Sequence, residues 1–230
     1  MRMMRKIISI TLLAVIAIGI IYCLSEMPFG EAQSRVRGYY ITNGVRQTGA
    51  TNIVTSVVVN YRGFDTLGEV TVLFLAAIGL SAVLHREEKK QKKAGRKSSL
   101  ILYTGCRFLF PLILIFGAYI FIHGHLTPGG GFQGGAIIAS GFLLTMLGCW
   151  KWRGIHKRTF KITESIAGLV FIAVGLLGLL YTGYFLYNYL PKGIPGNLFS
   201  AGIIPVIYIA IGFKVGAELT GVLDELIGEP

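Results

Sequence analysis

The sequence predicts an all-α, polytopic membrane protein of about six transmembrane helices, with both termini in the cytoplasm. Three observations predict it. The 230 residues are 53% hydrophobic and only 14% charged, against roughly 25% charged in soluble domains. Six apolar segments, residues 7–24, 64–84, 100–122, 132–150, 162–187 and 198–220, reach or approach the ~20 residues that cross a bilayer as a helix. The formal charge of +11 is concentrated in the connections between them, a cytoplasmic-loop bias rather than a nucleic-acid surface.

The first segment follows Arg2, Arg5 and Lys6 like a signal peptide. Its apolar run is longer than a usual signal core and no small-x-small cleavage site follows, so a retained helix is expected. Orientation comes from Lys and Arg. The second connection carries Arg86, Lys89, Lys90, Lys92, Lys93, Arg96 and Lys97, and the fourth carries Lys151, Arg153, Lys157, Arg158 and Lys161. The opposite side has Arg35, Arg37, Arg46, Arg62 and Lys192. Six spans return the C-terminus to the basic, cytoplasmic side.

The expected organisation is a two-helix block over residues 1–84, a basic cytoplasmic linker over 85–99, and a four-helix block over 100–230. No internal repeat is evident. The outer segment 25–62 ends in the β-branched stretch 52–61, read as a surface helix because it leads directly into a span, although β-branching also suits a strand. Cys23, Cys106 and Cys149 fall in apolar segments without CxxC spacing, which predicts buried thiols rather than a metal site or disulfide framework.

Ionisable residues within spans cost roughly 2.5–3.5 kcal/mol each at a helix centre, and are usually paired, interfacial or functional. Asp65 and Glu69 are four apart, on one face in the outer half of the second span, beside Thr66 and Gly68. They suit a proton relay or oxygen ligation of a hard cation; an interfacial acidic pair bound to Arg62 or to a neighbouring protein is the plainer alternative. Lys214 and Glu218 are also four apart, near the cytoplasmic end of the last span as predicted, where a simple salt bridge is the plainer reading and a hydrated path between subunits the functional one. Gly212 and Gly216 form a small-residue ridge on the opposite face, for close helix packing. Arg107, about 10 Å into the third span, is expected to bridge Glu164 or Glu218.

The run His125-Leu126-Thr127-Pro128-Gly129-Gly130-Gly131-Phe132-Gln133-Gly134-Gly135 stands at the mouth of a hydrophobic hairpin. Pro128 interrupts regular hydrogen bonding, and the glycines allow positive φ and close backbone approach. Irregular backbone at membrane depth survives only if covered by protein or facing water, which predicts a tight outer turn or short re-entrant feature against a neighbouring subunit. His123 and His125 lack a third metal ligand nearby, and no Gly-Lys-Ser/Thr or HExxH spacing occurs. No catalytic or metal site is expected.

This Gly-rich run, with residues 100–221 around it, resembles the MnhB/MrpB subunit of the multisubunit Mrp/Mnh-type Na+/H+ antiporters. The stretch Asn60-Tyr61-Arg62-Gly63-Phe64-Asp65-Thr66-Leu67-Gly68-Glu69 resembles the C-terminal membrane region of the large, A-type chain of those antiporters, which corresponds to a small separate protein in archaeal membrane-bound hydrogenases. Asn60 departs from the resemblance, standing where an aspartate is expected; it can carry neither charge nor proton. The fused arrangement is similar to archaeal respiratory complexes related to complex I, with a hydrogenase or sulfur-reducing arm.

The resemblance implies a subunit of an ion-translocating, hetero-oligomeric complex in the plasma membrane. Na+ and H+ would be its transported ions, and the chain itself would hold no cofactor or redox centre. On that reading Asp65, Glu69, Lys214 and Glu218 are the cation and proton path candidates, and the Gly-rich turn serves assembly. A purely structural scaffold and a stand-alone small-solute channel or transporter are the alternatives.

Overall fold

A computed structural model describes residues 2–26, 35–84, 99–148 and 157–228. Among them every regular element is helical: α1 (Arg2–Ser25), α2 (Arg35–Thr48), α3 (Ile53–Thr55) running into a π-helical segment Ser56–Tyr61, α4 (Gly63–Leu84), α5 (Leu100–Ile122), α6 (Gly131–Gly148), α7 (Lys157–Thr182) and α8 (Ile204–Gly228). The chain forms two units, Met1–Gly38 and Tyr39–Pro230. Six helices are long and apolar enough to cross a membrane, α1 being the first and α8 the last. The basic linker expected over 85–99 falls almost wholly outside the described residues, as does Cys149.

In the first unit, α1 is apolar over Lys6–Ser25. Its Thr11 hydroxyl donates back to the Ile7 carbonyl at 2.9 Å, so this polar side chain is satisfied within its own helix.

In the second unit, α8 is the central helix: 61% of its span is buried, against 11% for α4 and 17% for α5. Glycine explains its close contact with α6. A Cβ at Gly135 would stand 2.8 Å from the Gly212 carbonyl and from Val215 Cβ, and one at Gly131 would stand 2.6 Å from Ile211 Cβ. The opposite side of α6 uses Gly134, Gly141 and Gly148 against Gly117, Phe121, Ile113 and Cys106 of α5. Their spacing of seven keeps one stripe facing one neighbour. Without a hydrophobic driving force between helices in lipid, such close backbone approach supplies much of the association energy. On the expected Gly212–Gly216 ridge, Gly216 meets Gly135 and Ile138 of α6, and Gly212 meets the Phe121 ring of α5.

The fifth and sixth spans are shifted at both ends from the sequence reading, to Lys157–Thr182 and Ile204–Gly228. The fifth span stops at Thr182, not residue 187, because Gly183 takes the left-handed conformation (φ 79°) and its amide bonds the Leu179 carbonyl at 2.8 Å, a glycine helix stop. The last helix begins at Ile204, not residue 198. Ala201 and Gly202 are left-handed (φ 67° and 61°), which no helix accommodates, and Pro205 sits in the first turn, where a missing N–H costs nothing. The stretch 52–61 is helical as expected, but buried Thr55, Ser56 and Val59 pack it into the fold rather than leaving it at a surface. Cys106 is buried and disulfide-bonded rather than a free thiol, and Cys23 is exposed.

Candidate functional site

Two polar regions stand out. The first surrounds the Gly-rich turn, where α5 ends at Ile122 and α6 starts at Gly131. The turn exposes backbone carbonyls that no helix can bond. The segment before α3 captures them. Asn52 Nδ2 donates to the carbonyls of Gly124 (2.9 Å) and Thr127 (3.0 Å), while its own amide donates to the His125 carbonyl (3.1 Å). Thr51 Oγ1 donates to the Leu126 carbonyl (2.9 Å), and Thr55 Oγ1 to that of Gly124 (2.7 Å). Tyr208 of α8 then donates to Thr55 Oγ1 at 2.9 Å. Asn52 Oδ1 also accepts from the Val54 amide, capping the short helix.

This chain's own residues 51–55 and α8 cover the carbonyls of the turn. Close approach is why the glycines are needed: a Cβ at Gly124 would stand 2.7 Å from the Tyr208 ring. Gln133 and Pro128 are exposed, Phe132 is partly buried, and Gly130 and Gly131 are buried.

Asn188 locks the loop between α7 and α8 onto the same joint. Its Nδ2 donates to the Ala201 carbonyl (3.1 Å), and its Oδ1 accepts from the Ile203 amide (3.0 Å). His125 is fully buried there beside the backbone of Asn197 and Leu198, and neither ring nitrogen reaches a well-aligned hydrogen bond. Burial holds its pKa below the ordinary histidine value, and the neighbouring backbone groups offset this in part.

The second region lies in the middle of the helices. Lys214 is about 15 Å along α8 and Glu218 about 21 Å, in a helix about 36 Å long at 1.5 Å per residue. The shifted start of α8 therefore takes this pair away from the helix end and towards the centre of a ~30 Å hydrocarbon core. Lys214 Nζ lies 3.4 Å from Glu218 Oε2 and 3.6 Å from Glu164 Oε1 on α7. It also stands 4.9 Å from the centroid of the Phe74 ring on α4, an attraction of about 1–2 kcal/mol when desolvated. The Glu218 side chain is 1% exposed, and neither of its oxygens accepts a hydrogen bond from the described residues. About two turns further along α8, Ser81 Oγ of α4 donates to Glu225 Oε1 at 2.9 Å.

This is not the bridge the sequence suggested. Glu164 pairs with Lys214, and Arg107 is exposed over the Tyr103 ring, 5.7 Å from its centroid. Asp65 pairs with Arg62 at the start of α4, both well exposed. Glu69 is exposed on α4, and open space surrounds Gly68 beside it. Thr66 is buried, its hydroxyl donating to the Val58 carbonyl at 2.5 Å. The fold thus joins Lys214, Glu218 and Glu164 into one cluster and leaves Asp65 and Glu69 on the outer surface of this chain. Sequence reasoning missed Asn52 and Asn188 altogether. Asn52 had one visible signal, a capping residue immediately before an apolar run.

The fold defines a multi-pass membrane protein whose central helix carries a buried charged cluster. The family described as a domain related to the MnhB subunit of Na+/H+ antiporters matches residues 101–221, and residues 1–96 match the MbhE family of MBH subunits. The chain belongs to the MnhB-related antiporter family. It is similar over 97% of its length, at 46% identity and a TM-score of 0.78, to a chain of the membrane-bound sulfane sulfur reductase, an archaeal respiratory membrane complex, and covers 98% of that chain. It is similar at 25% identity and a TM-score of 0.72 to a chain of the Mrp complex from Dietzia sp. DQ12-45-1b, aligning over 98% of itself but only 26% of that chain. A probable K(+)/H(+) antiporter protein of combined A/B type from Rhizobium meliloti is 30% identical over 72% of this chain, which spans 19% of that protein.

Proposed function

We propose that this chain is a membrane subunit of a multisubunit Na+/H+ antiporter module, held in the plasma membrane with both termini cytoplasmic and built into a redox-driven respiratory complex. Its partners are other Mrp-type subunits and a hydrogenase-like or sulfur-reducing arm. The chain carries no redox centre, and Na+ and H+ are the transported ions. The resemblance to the sulfane reductase chain along nearly the whole length supports the respiratory setting. The observation that carries a direct role in transport is Glu218, buried at mid-helix with neither oxygen accepting a hydrogen bond from the described residues. Keeping a buried carboxylate ionised with one counter-charge and no hydrogen bond is costly, which supports a role beyond packing. Lys214 and Glu164 complete that part of the path, while Asp65 and Glu69 on exposed α4 present carboxylates to a neighbouring subunit. Glycine-mediated contact of α6 with both α5 and α8 argues against a channel through this chain alone.

The test begins with a tagged copy purified in mild detergent. Antiporter subunits together with iron–sulfur or nickel–iron proteins should co-purify, and Glu218→Gln in the assembled complex should abolish Na+-dependent proton movement in inverted vesicles. Recovery of the chain alone, or full exchange by the assembled variant, would refute this reading.

A further inference from the structure

Building on the transport role, we infer that the Glu164–Lys214–Glu218 cluster is a single-proton binding site, with Glu218 as the group that takes and releases the proton. One ammonium faces two carboxylates, at 3.6 and 3.4 Å. With all three ionised, the cluster holds one uncompensated negative charge in an apolar surround, so it lacks one positive charge. The two oxygens of Glu218 are buried and accept no hydrogen bond from the described residues, so an acceptor stands open where that charge would go.

The geometry favours a proton over a metal cation. Hard cations ask for about six oxygen ligands, and this cluster offers the oxygens of two carboxylates. Among the described residues no group of three His, Cys, Asp or Glu side chains could hold a metal ion. A proton needs one oxygen. The step is a simple exchange, the Glu218 carboxylate and a proton giving the neutral acid, with Lys214 then free to pair fully with Glu164.

The surroundings isolate the site. α6 contributes no titratable residue and α4 presents the Phe74 ring. On α7 the next charged group is exposed Lys161, nearly one turn before Glu164. On α8 the next are Asp224 and Glu225, the latter held by Ser81. Glu164, whose side chain is 18% exposed, is the more open member and the side from which a proton enters.

Dicyclohexylcarbodiimide, which attacks protonated carboxyl groups in apolar surroundings, tests this in the complex purified through this chain. Peptide mass spectrometry should find Glu218 modified, with labelling that declines as pH rises and is unchanged by added Na+. Lys214→Met should extend labelling to higher pH by at least tenfold in rate, because the counter-charge favouring the ionised form is gone. Glu164→Gln, which removes the competing carboxylate, should reduce labelling. Absence of labelling at Glu218 at every pH, or protection by Na+, would overturn the proton assignment even in a complex that still exchanges ions. Failure of other subunits to co-purify with the unsubstituted chain would instead count against the proposed function, because labelling does not read out assembly.

Discussion

The joint around the Gly-rich turn and the cluster around Lys214 are both buried and polar, yet the backbone carbonyls of the one and the Glu218 carboxylate of the other are treated in opposite ways. At the joint, the carbonyls of Gly124, His125, Leu126 and Thr127 are all taken up by Thr51, Asn52 and Thr55. In the cluster, Glu218 is as deeply buried, but among the described residues its oxygens have a charge contact with Lys214 and no hydrogen bond. Backbone atoms cannot change their charge, so leaving them unpaired gains nothing and costs about 1–3 kcal/mol each. A carboxylate can bind and lose a cation, so an open coordination position on it is usable. The contrast separates what holds this fold together from the cluster proposed to carry ions.

The strongest way to break that contrast is Lys214→Met. It leaves Glu164 and Glu218 facing each other without a counter-charge, and removing one partner of a buried pair costs about 3–5 kcal/mol. The yield of assembled complex and its melting temperature should fall sharply, and adding Glu218→Gln should restore most of the loss. A cluster that merely lies at a wet surface would show neither effect. Next comes Gly135→Ala. The added methyl meets the Gly212 carbonyl and Val215, which forces α6 and α8 apart at about 1–3 kcal/mol. Gly68→Ala, a position with nothing within 4 Å, is the matched control and should leave the melting temperature unchanged.

Asn52→Ala probes the joint. It removes two donors and a cap at once, for about 1–2 kcal/mol, and should raise protease cleavage within residues 123–130. Transport by complexes that do assemble should be unaffected; a specific transport defect would dissolve the distinction drawn between the two regions.

His125 refines it further. Its folded pKa lies below the ordinary value near 6.5, so the unfolded chain binds more protons in the interval between the two. Its contribution to stability is therefore complete above about pH 6.5 and is lost as pH falls through the interval towards the folded pKa. Melting curves at pH 7.5 and 5.5 should show the fall, and His125→Gln should flatten it. The smallest effect is expected for Arg62→Ala, because the exposed pair with Asp65 contributes about 0–1 kcal/mol.

Much of this architecture is written locally. Each of the six spans is an apolar run with polar ends, and a helix is how one continuous segment satisfies its own backbone in lipid, so length and composition alone determine their number and approximate place. The glycines of the turn and of α8 were legible too, because residues without a Cβ at helical spacing have one main use in a membrane. The sequence also marked Lys214 and Glu218 as a pair, since four residues on a helix always share a face.

Only the tertiary structure decided the rest. That Glu164 and not Arg107 completes the pair depends on which faces of α5, α7 and α8 meet, and no spacing within one helix encodes the rotation of another. Where α8 begins was decided by the left-handed Ala201 and Gly202 and by Asn188, thirteen residues before Ala201, holding the intervening loop closed. That moved the pair from a helix end to mid-helix. The cover over the Gly-rich turn came from residues 51–55, some seventy positions earlier. Patterns within a segment report what the segment must bury; the identity of the partner is set by long-range packing, whose contacts exist only once the helices have met.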